Sequence, residues 1–354
     1  ETRPVDSAVV DGGGAQGSGG YWYFERRYGR SFAAAHSLLN RGLPLRQLRS
    51  PATIGGVALP PGTFFVPSGR LNAAEAATLG KTMGVPLRGA DLPDETMLSP
   101  VLKARIGIYQ PWLTSMDEGW TRLVMDNAGV EYTVLHNADI GKKKANLREK
   151  FDVIILPDLE TNPIVIGKWS DDDEPSEPML GTPEWPEQYR GGIGEEGVAA
   201  IGAFVREGGT LVTLGGSSQF AIDKLRLPAR DELKGVVNTN FFAPGTIFGI
   251  TIDREHPLAY GMPDRADAYF TESQAFRLLP YTLQSRIVAS YFGENVLRSG
   301  WLVGEERVKG KVAMAEVPVE KGRVVMYGFR VQHRSQKHGT FKLFLNALFL
   351  RTED

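Results

Sequence analysis

Two short runs, Asp152-Val-Ile-Ile-Leu156 and Thr210-Leu-Val-Thr-Leu214, constrain the fold of this chain most. Neither alternates apolar with polar residues, which is the mark of a strand buried on both faces. Helical patterns flank them. Ser115–Gly129 opens with Ser115 and Glu118 at capping-box spacing, and Glu195–Glu207 is amphipathic and closed by Gly208-Gly209. Arg105-Ile-Gly-Ile-Tyr109 and Tyr132-Thr-Val-Leu135 add two more strands. Strands alternating with helices predict an α/β domain with a doubly wound, mostly parallel sheet.

After Lys224 the pattern turns to shorter strands, of which Ile287–Phe292, Val312–Val317 and Val324–Phe329 are the clearest. Val319-Glu-Lys-Gly322 reads as a hairpin connection with glycine in the left-handed position. An apolar-rich helix closes the chain at about Thr340–Leu350, and no internal repeat is present. Residues 1–100 read as a smaller α/β domain. It holds a strand at Ala8–Val10, a helix near Ser31–Arg41, a strand at Gly62–Pro67, and a helix capped by Asn72 and stopped by Gly84. A last short strand is expected at Val85–Arg88. Asp91–Pro100 is the linker candidate, and 101–354 form the larger domain.

Composition removes several classes of function. The chain has 354 residues, 42% hydrophobic and 23% charged, enough for about two globular domains. A net charge of −2 argues against a nucleic-acid binder. The absence of cysteine excludes disulfides, thiolate metal sites and a cysteine nucleophile. No apolar run reaches the ~18 residues of a membrane span. The chain starts at Glu1, which fits either a processed mature protein or a piece of a longer one.

Gly12, Gly14 and Gly17 fit G-x-G-x-x-G, but the strand before them is very short and no acidic residue stands near position 37. The stretch reads as a flexible loop. Leu214-Gly-Gly-Ser217-Ser218-Gln219 follows a buried strand, the position of a nucleophile elbow, although Gln219 breaks G-x-S-x-G. Ser217 could be a nucleophile, with His333 or His338 as base, or a helix N-cap. Gly191-Gly-Ile-Gly194 opens a helix, yet Glu195 and Glu196 would repel an anion there. His333 and His338 could share a metal in one basic loop, but H-x-x-E and H-E-x-x-H are both missing, so no metal and no cofactor are expected. The acidic run Ser170–Glu177 lacks the EF-hand pattern and reads as a solvated connection, with a weak calcium site in 170–178 as the minority reading. Trp112, Trp120, Trp169 and Trp185 could stack on a ligand. Open α/β sheets bind ligands at the carboxyl ends of their strands. That places Gln110, Trp112, Asp158, Ser217, Ser218 and Arg330 as ligand-binding candidates.

Several segments together are similar to a known family. Arg105-Ile-Gly-Ile-Tyr-Gln-Pro-Trp112, Phe151-Asp-Val-Ile-Ile-Leu-Pro-Asp158, Tyr189-Arg-Gly-Gly-Ile-Gly-Glu-Glu-Gly197, His256-Pro-Leu-Ala-Tyr-Gly-Met262 and Gly328-Phe-Arg-Val-Gln-His-Arg334 resemble the C-terminal region of large bacterial zinc carboxypeptidase-like proteins. The likeness spans roughly residues 100–350. It implies a class I glutamine amidotransferase-like, flavodoxin-like fold beside a smaller N-terminal α/β domain. It also implies an extracytoplasmic (periplasmic or secreted) location and a parent zinc metallocarboxypeptidase. The zinc ligands of that peptidase are not in this chain, and the elbow offers Gly216-Ser217 where amidotransferases carry cysteine. The expectation is therefore a non-catalytic accessory module. Its partners would be the peptidase domain of the same parent chain or further copies of itself, with no nucleic acid and no membrane. The alternatives are a serine hydrolase using Ser217 and a glycan or small-molecule binding domain.

Overall fold

The computed structural model describes residues 13–141, 146–169, 186, 189–279 and 286–350. The strand expected at Ala8–Val10, Gly12, the acidic run 170–178 and Trp185 lie outside the described residues. The chain divides into two compact units. One runs to Lys103 and takes in Asn127–Val130 and Tyr260–Met262. The other holds Ala104–Asp126, Glu131–Ala259 and the chain from Pro263 on.

The smaller unit is a six-stranded sheet with two helices, α1 (Ser31–Asn40) and α2 (Ala73–Met83). Its strands are β1 (Gly14–Gln16), β2 (Tyr21–Phe24), β3 (Leu45–Leu48), β6 (Phe64–Pro67), β7 (Pro86–Ala90) and β8 (Leu98–Val101), in the order β1-β7-β2-β6-β3-β8. A separate hairpin joins β4 (Ala52–Ile54) to β5 (Val57–Leu59). Two expectations are corrected here. The glycine-rich stretch is not a loop, because Gly14–Gln16 pairs in parallel with β7. Glycines on both sides let backbone approach backbone: a Cβ on Gly13 would collide with the Gly80 carbonyl of α2, and one on Gly80 would lie 2.6 Å from the Gly14 carbonyl oxygen. Asp91–Pro100 is not a linker, since it ends in β8, paired with β3. Pro100 is tolerated there because β8 is the last strand of the sheet and needs no donor on its outer side.

Helix α2 forms as its sequence predicts. Asn72 Oδ1 accepts the Glu75 N–H at 3.0 Å, and Glu75 Oε2 accepts the Asn72 N–H at 3.0 Å. Gly84 closes the helix at φ +61°. Asn72→Ala should cost about 1 kcal/mol, read as a lower denaturant midpoint with an unchanged m-value.

The larger unit is built on one mixed sheet. Its main path is β10 (Thr133–Leu135), β9 (Ile106–Tyr109), β11 (Val153–Leu156), β12 (Thr210–Leu214), β20 (Gly322–Tyr327), β19 (Val312–Val319), β17 (Arg286–Tyr291), β14 (Thr246–Ile252) and β15 (Arg265–Phe270). The first five strands are parallel. From β20 onward every neighbour is antiparallel. The α/β class stands, and the mostly parallel sheet is corrected to a mixed one. Short strands β13 (Ala229–Asp231), β16 (Phe276–Leu278) and β18 (Leu297–Ser299) attach to the antiparallel half.

Helices α3 (Met116–Asn127), α4 (Asn137–Ile140), α5 (Leu147–Lys150), α6 (Thr161–Val165) and α7 (Gly194–Arg206) connect the parallel strands. α8 (Ser217–Lys224) follows β12, and α9 (Phe341–Ala347) ends the described chain. β11 and β12 are buried along their whole length, in a core with Phe204, Phe220 and Phe276. The β19–β20 turn differs from expectation: the left-handed residue is Glu320 at φ +51°. A Cβ on Gly322 would instead collide with the Val205 and Gly209 carbonyls, which explains the glycine by close approach.

Candidate functional site

The parallel strands bring their carboxyl ends together, and the loops leaving them carry the site. β12 ends at Leu214, and Gly215 turns the chain at φ +53°. That is the apex of the elbow, one residue before the pair the sequence offered. A side chain at this apex is what an elbow thrusts above its sheet. Here there is none, and the space is filled: a Cβ on Gly215 would overlap Asp158 Oδ1.

Asp158 is held in that space from two sides. Gly216 donates its N–H to Asp158 Oδ1 at 2.6 Å. Arg330, which follows β20, pairs through Nη1 with Asp158 Oδ2 and with Asp117 Oδ2 at 2.7 Å. Its Nε donates to the Thr271 carbonyl at 3.0 Å, and its Nη2 reaches the exposed Glu272 carboxylate at 3.3 Å. Arg330 is 9% exposed, so its pairs with Asp117 and Asp158 are well shielded from solvent, while the Glu272 arm is not. Gln332 extends the network by donating to Thr121 Oγ1 at 2.7 Å, tying the loop after β20 to α3.

Ser217 and Ser218 are both fully buried. The Ser217 hydroxyl lies 3.0 Å from the Leu156 carbonyl oxygen and 2.9 Å from that of Leu214. Ser218 Oγ lies 3.0 Å from Thr213 Oγ1. Ser217 is also not the helix N-cap; Gly216 is, with no side-chain cap bond. No histidine is among the hydrogen-bond partners of Ser217. His333 packs on Tyr269 at 4.3 Å between ring centroids, and His338 on Phe341 at 4.8 Å. Among the described residues no group of three metal-ligating side chains exists. Ser217→Ala should cost about 1 kcal/mol, the worth of one buried hydrogen bond, measured as a shift in denaturant midpoint.

Gln110 and Trp112 lie on the β9 side. Trp112 stacks on His136 at 4.0 Å with 8° between planes and meets Tyr189 edge-on at 4.5 Å. His136 Nδ1 contacts the Gln110 carbonyl at 3.0 Å. Trp112 is thus engaged within the protein, and Trp120 is half-buried on α3. Trp169 stands apart, 53% exposed.

A cavity of about 800 Å³ opens at the ends of β11, β12 and β20. Asp158, Gly216 and Arg330 line it, as do Trp169, Asp231 and Gln274. Burial pushes the Asp231 carboxyl above its ordinary range, although it accepts N–H bonds from Leu233 and Ala275 at 3.0 and 3.2 Å. Of the candidates read from the sequence, Asp158 and Arg330 meet at this cavity. Gln110, Trp112 and Ser218 are not among its lining residues. Asp117, Asp231, Glu272 and Gln274 were missed. Asp117 carried only the ordinary signal of an acid in a helix's first turn.

No family model matches this chain, and no curated protein matches it. Solved structures do. It is similar to a putative ThuA-like protein from Bacteroides uniformis at 11% identity and TM-score 0.38, over 70% of this chain and 90% of that one. It is similar to the cytoplasmic protein STM3548 from Salmonella typhimurium at 13% identity and TM-score 0.43, over 71% and 100%. A putative GMP synthase protein from Thermoplasma acidophilum is similar at 10% identity and TM-score 0.40, over 69% and 94%. At these values the likeness is to the α/β fold alone. One of these neighbours is described as ThuA-like, and nothing in the comparisons shows a zinc carboxypeptidase parent. STM3548 and a second Salmonella structure, STM1381, are described as cytoplasmic, against the extracytoplasmic expectation, which is withdrawn. Among the described residues no helix is long and apolar enough to cross a membrane.

Proposed function

We propose that the larger unit is a non-nucleophilic module that binds a small polar ligand in the cavity at the carboxyl ends of β11, β12 and β20. The observation that carries this reading is the apex of the elbow. Gly215 brings no side chain there, and the Asp158 carboxylate, locked by Gly216 and Arg330, fills the space a nucleophile would occupy. The Ser217 hydroxyl supports the same reading, because it turns inward onto strand carbonyls and, among the described residues, hydrogen-bonds to no histidine or carboxylate that could serve as its base. The cavity has the size of a small-molecule site, roughly 300–1,000 Å³, and polar groups converge on it. A non-catalytic role beside another domain is compatible with such a module.

Thermal-shift screening of the whole chain against neutral, cationic and anionic metabolites tests it. A compound that raises the melting temperature of the wild-type chain but not of a Gln274→Leu variant is expected. A broad panel without any stabilising compound would count against the proposal.

A further inference from the structure

The larger sheet ends on β15, and that edge differs from the others. β10 at the opposite end and β1 in the smaller unit span three residues each, and β8 carries Pro100, all of which blunt an edge. β15 spans six residues without proline and pairs only with β14 among the described residues.

The hydrogen bonds of β15 fix which of its backbone groups face outward. The Asp264 carbonyl accepts the Ile252 N–H at 2.9 Å and so points at β14. Alternation then turns residues 265, 267 and 269 away from β14. Tyr269 agrees with this, because its carbonyl accepts the Arg330 N–H at 3.0 Å. That contact closes one end of the edge and leaves Arg265 to Asp267 open, with the small Ala266 between two exposed charges. Ala268 and Phe270 are buried on the opposite face, so the Arg265 and Asp267 side chains share the outer one. Both are loosely held there. Asp267 meets Arg298 at 3.4 Å with both side chains half-exposed, and Arg265 lies over the Phe292 ring at 4.2 Å.

Charges of one sign on an edge keep a second strand away. Opposite signs two residues apart attract a strand of the same sequence. We infer that β15 pairs antiparallel with β15 of a second copy about a two-fold axis at Ala266, joining two larger sheets edge to edge. Arg265 then stands opposite Asp267 of the second copy, and Asp267 opposite its Arg265. Both residues point their backbone groups outward, so each pair exchanges both N–H···O bonds, and each sets unlike charges side by side. The two Ala266 residues face each other at a non-hydrogen-bonded position, where Cα atoms approach to about 4.5 Å and a small side chain fits. One step further, Tyr269 meets Pro263 of the second copy. Pro263 has no N–H to give, and the Tyr269 carbonyl is already taken by Arg330. Other registers fail on the same groups. An axis at Ala268 needs the carbonyl that Arg330 holds, and one at Asp264 needs an N–H from Pro263. An axis at Arg265 or Asp267 sets like charges face to face.

Sedimentation velocity of the whole chain, from about 1 to about 200 μM, tests the pairing. A contact this small should give a reversible dimer with a Kd on the order of 10 μM. It should weaken as salt rises, because the ion pairs are exposed. Arg265→Asp and Asp267→Arg each set like charges across both pairs and should each weaken the dimer about tenfold or more. Their melting temperatures should stay within about 2 °C of wild type, as expected of surface substitutions. An equimolar mixture of the two variants should associate again, and so should the double variant Arg265→Asp/Asp267→Arg, because both arrangements return unlike charges to opposite positions. A wild-type chain that stays monomeric throughout would overturn the self-pairing and leave a strand of a different protein as the occupant. Dimers unchanged in both single variants, or no recovery in either the mixture or the double variant, would overturn the register and with it the proposal.

Discussion

Arg330→Met is expected to destabilise the larger unit by about 3–5 kcal/mol, because it strands two shielded carboxylates without their cation. Asp117 and Asp158 are only 18% and 15% exposed at the side chain. The Glu272 arm, 89% exposed, should contribute little, so Glu272→Gln should be close to neutral. A loss of that size lowers the melting temperature by on the order of 10 °C for a unit of this length. The pairing predicts a specific rescue. Adding Asp158→Asn to Arg330→Met should restore part of the loss, because one stranded charge is removed. A thermal melt of Arg330→Met within about 2 °C of wild type would show that the cluster is solvated and holds nothing in place.

Gly215→Ala is the second large effect expected. An L side chain at φ +53° costs about 1–2 kcal/mol by itself. The new methyl must also displace the Asp158 carboxylate from Gly216 and Arg330, which brings the total to about 3 kcal/mol. The two sites must then be coupled. In an Asp158→Ala background the space is vacant, so Gly215→Ala should cost only its backbone share. Chemical denaturation of the four chains measures that coupling as a double-mutant cycle. Additive losses would mean that Asp158 does not occupy the apex.

The parallel half of the sheet was legible because strands covered on both faces carry unbroken apolar runs. Thr210–Leu214 and the helix after Gly194 fell where the pattern put them. The antiparallel half was harder. β15, Arg265-Ala-Asp-Ala-Tyr-Phe270, is an edge strand with polar residues on its exposed side, and β14 is interrupted by Gly249, which stands where the Phe292 ring packs. Pro100 hid β8 for the reason that suits it to an edge. At the site, Asp158 and Arg330 could be named from position, as residues following parallel strands. Their partners could not. Asp117 lies 213 residues from Arg330, and Gln274 and Asp231 come from the antiparallel part of the chain, where sequence spacing says nothing about proximity. The strand-to-helix elbow fell where the pattern put it, but its apex was read two residues late, at Ser217, because the left-handed turn at Gly215 has no signal beyond glycine itself.

A scaffold built this way should hold its ligand without attacking it. The direct measurement is turnover of acyl esters, primary amides and peptides by the purified chain and by Ser217→Ala, followed to the limit of detection. Rates equal to buffer for both chains are predicted. Saturable hydrolysis by the wild-type chain that vanishes in Ser217→Ala would contradict the non-nucleophilic reading.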